Sequence, residues 1–319
     1  MNLINSNSLR VWKDRAVEFA LKTVARKPRV TNAAWRINPE ELHGVTIRWP
    51  VKYQWEPARI WVDPLLYGFR NVAQVEMAEL EQPYRGTVLF QFVVRNRAHD
   101  VAIDYSDYSD INEESARRCP VYFKMQHHRE GYGLNHVLPG GYVPDGRKIY
   151  LHLPRLRRLR DRKDFAYDVY GRFSLEFAGE TRRRAVEILR AQKDFKFEGG
   201  LTKVSYVDFL KETARSRICI DLPGEGDFCY RLVNYFAVGA CVIAAPHRNI
   251  LNGPLIDREH IAYAKPDFSD LVELCKFYLE NEEEREAMCL KSRQFFEQYL
   301  HKDNLTAYYL RACLDRLRN

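Results

Sequence analysis

Arg217–Ala245, RICIDLPGEGDFCYRLVNYFAVGACVIAA, carries the fold of this chain in miniature. Arg217-Ile-Cys-Ile-Asp-Leu is apolar without alternation, the pattern of a strand buried on both faces of a parallel sheet. Pro223-Gly224-Glu225-Gly226-Asp227 breaks it, and glycines there permit positive φ and close approach of the backbone to a ligand. Apolar residues at helical spacing run from Phe228 to Val238, and Gly239 opens a second buried strand over 240–245. In that order, the helix aims its unpaired N–H groups and positive dipole end at the turn. Such a place holds a phosphate by backbone donors. Arg231, one turn into the helix, adds a guanidinium fork, with Gly224, Gly226, Asp227, Phe228 and Tyr230 as the surrounding surface. Asn234 is a polar residue in an otherwise apolar helix. It stands where a ribose would lie beyond that phosphate, or else it makes a structural hydrogen bond.

Working outward, the same grammar fills the second half. Strands are expected at 165–171, 195–198 and 261–264, and helices at 175–193, 206–216, 267–281, 283–299 and 303–317, which together make a doubly wound sheet. The first half divides less cleanly. A helix is expected over 8–25, short strands at 45–49 and 59–62, a helix over about 70–81, and a strand over 86–94. Strands at 99–104 and 119–124 flank a helix whose start near Asp110 looks capped, and 131–146 reads as a long loop. At 319 residues the chain is about twice the ~150-residue domain prior. We therefore expect an α/β protein of two Rossmann-like doubly wound domains, 1–155 and 156–300, facing across a cleft, with 301–319 a terminal helix packing back on the first.

Composition narrows the class. A hydrophobic fraction of 46% supplies a sizeable core, yet no run approaches the ~18 apolar residues of a membrane span. Met1–Arg10 is polar and lacks the apolar centre of a secretory signal, so a cytoplasmic protein is expected, peripheral at a membrane at most. The seven cysteines include no Cys-x-x-Cys pair, which argues for buried thiols over a disulfide framework or zinc site. The net charge of +7 is concentrated in 147–164, with eight Arg and Lys residues between Arg147 and Lys163. That run is either a solvated face or a surface for an anionic partner such as lipid headgroups, a polyanionic glycan or nucleic acid.

Gly224 through Ile243 resembles the donor-site segment of GT-B glycosyltransferases, nearest to the exostosin-like and group-1-like branches. Their pattern is a glycine turn, an Arg, a Glu three residues on, then Ala-x-Gly and an apolar strand. Arg231 falls on the Arg and Gly239 on the glycine. The family's ribose-binding Glu is Asn234 here, and the earlier acidic member of the pair is displaced, with Asp227 the nearest carboxylate. Gly171-Arg172-Phe173 resembles the Gly-Arg-Leu turn that contacts donor phosphates, without its accompanying Lys. Arg182 or Arg183 could substitute, although both sit in the middle of the expected helix 175–193 and are expected to face solvent. The resemblance covers about 165–300. It implies transfer of a hexosyl or pentosyl group from a nucleotide-diphosphate sugar to a hydroxyl of a glycan, a lipid-linked or another acceptor. No cofactor and no metal are expected.

In such architectures ligands sit beyond the carboxyl ends of the strands. In the first half this selects Asp104–Asp110 and Lys124–Arg129. Asp107 and His127 are candidates for the base that takes the acceptor proton, and Lys124 for neutralising the leaving diphosphate. Asp107 or Asp110 instead caps the following helix in the alternative reading. Two other functions fit the same residues. One is a nucleotide-binding module that has lost transfer; the other is a nucleic-acid-binding or nucleic-acid-modifying protein working through 147–164.

Overall fold

The computed structural model describes residues 30–144 and 148–318, so the helix expected over 8–25 lies outside the described residues. The first sheet comprises β1 (Thr46–Pro50), β2 (Gln74–Ala78), β3 (Thr87–Val94), β4 (Arg97–Asp104), β5 (Val121–Lys124) and β6 (Val137–Pro139), in the order β2-β1-β3-β4-β5-β6. It is mixed: β3 runs antiparallel to β1 and β4, and the other pairings are parallel. Arg95 and Asn96 join β3 to β4 with φ of 51° and 63°, the two left-handed residues of a tight hairpin turn.

Three expectations fail in this half, the first being the loop over 131–146, which contains the strand β6 paired in parallel with β5. Residues 59–62 open the helix α1 (Arg59–Val72) rather than forming a strand, and 70–81 contains the end of that helix and the strand β2. Trp61, Val62, Leu65, Leu66 and Phe69 bury one stripe of α1 at helical spacing. β2 is an edge strand with almost nothing buried, so it carries no period-2 pattern to read. The short helix α2 (Glu113–Arg118) is capped by Asn112, whose side chain accepts from Ser115 N at 2.9 Å. Capping therefore belongs to neither Asp107 nor Asp110.

The second sheet follows the helix α3 (Ile149–Asp161) and contains β7 (Tyr167–Arg172), β8 (Phe197–Gly200), β9 (Ser216–Asp221), β10 (Cys241–Ala244) and β11 (Ala262–Tyr263). All its pairings are parallel, in the order β11-β10-β9-β7-β8. Around it stand α4 (Gly179–Ala191), α5 (Tyr206–Ala214), α6 (Tyr230–Val238), α7 (Leu271–Glu280) and α8 (Glu282–Phe295). The chain steps outward to β8 and then back past β7 to β9, so the topological switch point lies between β7 and β9. Ile218, Cys219, Ile220, Val242 and Ile243 are wholly buried, as expected of strands covered on both faces. Gly239, at φ 86°, ends α6 in a left-handed cap and lets the chain turn directly into β10.

Most of the basic run falls on the helix α3, and two of its arginines, Arg157 and Arg160, face inward. Arg160 is buried and donates to the Ser216 carbonyl at 2.7 Å and to the Arg217 carbonyl at 3.4 Å. Arg157 donates to the Ala237 carbonyl and pairs with Glu297. Among the described residues of the run, Lys148, Arg155, Arg158, Arg162 and Lys163 are exposed. A last helix, α9 (Lys302–Leu317), lies on the first sheet. Tyr309 stacks on Phe123 with ring centroids 3.7 Å apart and donates to the Gly140 carbonyl. Among the described residues no helix is long and apolar enough to cross a membrane.

A candidate active site at the switch point

Arg172 ends β7 and Asp221 ends β9, and the first turn of α6 stands over both. Arg231 occupies the gap. Its Nε donates to Asp221 Oδ1 at 2.9 Å, Nη1 to the Arg172 carbonyl at 3.3 Å, and Nη2 to the Leu222 carbonyl. The guanidinium lies 4.7 Å over the Phe173 ring. Arg231 thus ties the two strand ends together, and with five N–H donors it keeps some to spare. Asp221 is buried, its Oδ2 has no partner, and burial raises its carboxyl above the ordinary range despite Arg231.

A second arginine joins this cluster. Arg182 sits in the first turn of α4, not mid-helix, because that helix begins only at Gly179. It is buried, donates Nε to the Pro223 carbonyl at 2.8 Å and Nη1 to the Ser174 carbonyl at 2.6 Å. Its Nη2 is 3.5 Å from where a Cβ on Gly224 would stand. Burial first, and then the charge of Arg231, push its pKa down. Two guanidiniums against one carboxylate leave this corner net positive, in front of the amino end of α6.

The glycine turn works differently from its sequence reading. Neither Gly224 nor Gly226 has positive φ. Gly226 is required for close packing across the cleft: a Cβ there would lie 2.4 Å from the Gln126 amide and 2.5 Å from the Asp107 carbonyl oxygen. Gln126, inside the selected segment Lys124–Arg129 but not singled out there, is the clamp. Its amide donates to the Phe228 carbonyl at 2.8 Å, and its oxygen accepts from Phe228 N at 3.2 Å and Asn249 Nδ2 at 3.0 Å. Asp227 is spent on the neighbouring loop, accepting from the backbone N–H groups of Arg248 and Asn249.

The other expected residues divide. Asp107 faces the turn, 3.4 Å from the Tyr142 hydroxyl that donates to it, and burial raises its carboxyl. Tyr230 reaches the first half as well, with its ring 5.8 Å from Trp61 and 6.2 Å from Tyr142. Phe228 packs edge-on to His247. Lys124, by contrast, is fully buried and points into its own sheet, donating to Asp104 at 2.9 Å and to the Ser106 hydroxyl at 2.7 Å. It is not in position to meet a diphosphate. The Arg172 side chain also turns away from the cluster. Glu212 grips it in two-point fashion at 2.6 and 3.0 Å, and Glu198 and the Thr202 carbonyl take further donors. His127 is buried, with Nδ1 2.8 Å from the His128 carbonyl and its ring against Tyr132, and burial keeps it neutral to lower pH than usual. Asn234 is buried with its amide oxygen accepting from the Tyr206 hydroxyl at 3.1 Å, which is the structural bond weighed against the ribose.

A cavity of about 540 Å³ adjoins the turn, sharing Phe228 and Asn249 with it and lined further by Arg129, Leu251, Tyr263 and Tyr308. Its size is that of small-ligand sites.

Residues 154–310 match the family described as "Glycosyl transferase-like". Among curated proteins, none matches the chain by sequence. Among solved structures, a glycosyltransferase from Rickettsia africae superposes at 12% identity, covering 69% of this chain and 71% of that one, with a TM-score of 0.45. HepE of Anabaena, solved in complex with UDP and glucose, does so at 11% identity, covering 64% and 68%, with a TM-score of 0.42. Arg172, Arg182, Asp221 and Arg231 all lie inside the matched segment, so the half of this two-sheet chain that carries the switch point is the half similar to the glycosyl transferase-like family.

Proposed function

We propose that the chain transfers a sugar from a nucleotide-diphosphate donor to an acceptor hydroxyl. The observation that carries this reading is the pair Arg231 and Arg182 at the amino end of α6, at the switch point of a parallel sheet. Their spare donors would take the diphosphate as its bond to the sugar C1 lengthens, stabilising the charge that develops on the leaving oxygen. The adjoining cavity would receive another part of the donor. Asp107, raised by burial and held across the cleft, would accept the acceptor proton as the new C1–O bond forms. In this scheme Arg172 and Lys124 brace the two sheets, and Asn234 gives no charge to the ribose.

The test is calorimetry with UDP, GDP, ADP and CMP, followed by an assay of slow hydrolysis of the corresponding sugar nucleotides. Binding of at least one nucleotide, weakened in Arg231→Ala and in Arg182→Ala, supports the site. No binding by any of the four removes it. A second reading has one observation in its favour, the Asn234 amide engaged by Tyr206 where the family carries a free carboxylate. It makes the chain a nucleotide-binding module, and nucleotide binding without hydrolysis of any sugar nucleotide is its signature.

A further inference from the structure

Five rings form a continuous wall from the mouth of the cleft out to solvent, and beyond the hydroxyl that Tyr142 donates to Asp107 the switch-point chemistry leaves the wall unused. Innermost are Tyr142 and Tyr230, followed by Trp61, which donates from its indole nitrogen to the Tyr142 hydroxyl at 3.3 Å. Trp61 stacks on Tyr105 at 5.5 Å and 26°, and Trp55 stacks on Tyr105 at 6.4 Å and 12°. Trp55 is the outermost ring and is 50% exposed, whereas Trp35, Trp49 and Trp61 are 9% exposed or less. An indole left half in water, with its ring plane fixed by two buried aromatics behind it, is a preformed flat surface that costs little further ordering to use. Tyr108, next in sequence to Asp107, is also exposed.

The position of the wall is as informative as its composition. Tyr105 is two residues from Asp107, at most ~7 Å along the chain, and the Tyr142 hydroxyl bridges Trp61 to the Asp107 carboxylate. The local cation Arg59 is already held by Glu56 at 2.7 Å and lies 4.0 Å from Asp63, and at Tyr105 the charge of Arg85 is outweighed by that of the Asp104 carboxylate, so the wall presents no cluster of cations to a phosphate or sulfate. A ligand that presents C–H edges to the negative face of an indole while its hydroxyls reach a carboxylate and a phenol is a neutral saccharide.

We propose that Trp55, backed by Trp61 and Tyr105, is a stacking subsite for an uncharged oligosaccharide acceptor, one ring lying on Trp55 while a hydroxyl of the next meets Asp107. The proposal deepens the transferase reading and rests on it for the word acceptor, but the binding it asserts is separable. The experiment is a tryptophan-fluorescence titration of the full chain with cellotriose, maltotriose, mannotriose and chitotriose, beside a heparin tetrasaccharide, in wild type, Trp55→Phe and Trp55→Ala. The expected result is a saturable change with at least one neutral trisaccharide, insensitive to salt. Affinity, cross-checked by calorimetry, falls about tenfold or more in Trp55→Ala and by less in Trp55→Phe, and melting temperatures stay close to wild type. Three results overturn the subsite: no response to any neutral trisaccharide, unchanged affinity in Trp55→Ala, or binding of the heparin fragment alone with a steep salt dependence. Trisaccharide binding at Trp55 in a protein that binds no nucleotide would leave the subsite standing and remove the transferase reading. Nucleotide binding without any trisaccharide response would do the reverse.

Discussion

Both sheets carry buried charge at the carboxyl ends of adjacent parallel strands, yet the two clusters are built to opposite ends. In the first sheet Asp104 and Lys124 are register partners on β4 and β5. The ammonium donates to Asp104 and to two oxygens of Ser106, and Asp104 also takes the Ser106 N–H and the Tyr122 hydroxyl. Its three donors all have protein acceptors, and the pair sums to zero charge. In the second sheet Asp221 faces two arginines, retains an unpartnered oxygen, and leaves guanidinium donors uncommitted. A closed ion pair costs nothing more to keep and has nothing to offer a ligand. An open cluster is electrostatically incomplete, and a bound dianion would complete it.

The comparison breaks most sharply at Lys124. Lys124→Ala strands a buried carboxylate, and a loss of about 3–5 kcal/mol is expected in urea unfolding. The double change Asp104→Asn with Lys124→Met should recover a large part of it, because neither residual group is charged. At the open cluster the order of effects reverses. Arg231→Ala should weaken nucleoside-diphosphate binding by about ten- to a hundredfold, the worth of about 1.5–3 kcal/mol assigned to a charged hydrogen bond. Arg231→Lys restores charge but not the fork, and should recover only part. Unchanged affinity in calorimetry would show that the cluster is as closed as the one in the first sheet.

The surroundings of the open cluster sharpen the contrast through pH. Burial pushes His247 down to about 4, where it sits between Phe228 and the Tyr263 hydroxyl. Its folded pKa is below the ordinary 6.5, so the unfolded chain binds this proton first as pH falls. Stability is complete above about pH 6.5 and is lost as pH drops toward 4, with on the order of 1 kcal/mol gone by pH 5.5. Thermal melts at pH 7.5 and 5.5 should show this drop in wild type and a smaller one in His247→Gln. An equal drop in both would mean that His247 is not the group whose protonation opposes folding.

The second half was legible because its period and punctuation agree. Uninterrupted apolar strands, glycine stops and helical spacing each gave the same division, and the structure differs there by a few residues at the ends of elements. The first half hid its order in physical ways. β2 is an edge strand without a buried face, and α1 begins with Ile60-Trp61-Val62, β-branched and aromatic residues that favour a strand in isolation but pack here as a helical stripe. Of the candidate site, the placement of Arg231 in the first turn of α6 and of Asp107 beyond the end of β4 could be read from the order of elements. That of Gln126 could not, because its partner Phe228 is 102 residues away and an amide inside an apolar strand end carries no local pattern. Arg182 was misjudged because a helix start set by the left-handed Ala178 leaves no capping residue to read.

Arg172 provides the finest test, since it differs from Arg231 in almost nothing that sequence can see. Both are arginines at the mouth of the switch point, and both fall on arginines of the pattern that the sequence resembles. The structure separates them by their acceptors. Arg231 is held by one carboxylate oxygen and two carbonyls, whereas Arg172 is held in two-point fashion by Glu212, with Glu198 behind it and the Tyr170 hydroxyl donating to the same Glu212. These side-chain hydrogen bonds, Glu212 foremost, raise its pKa further, so the ion pair is a strong competitor for any phosphate. Arg172→Ala should therefore change nucleoside-diphosphate affinity by less than about threefold, under half of one tenfold step of 1.4 kcal/mol, while loosening the contact of β7 with α5. Calorimetry beside a thermal melt reads both. A tenfold loss of affinity with an unchanged melt would mean that Glu212 releases the arginine when a phosphate arrives. The open cluster would then include a third guanidinium that Glu212 otherwise keeps closed.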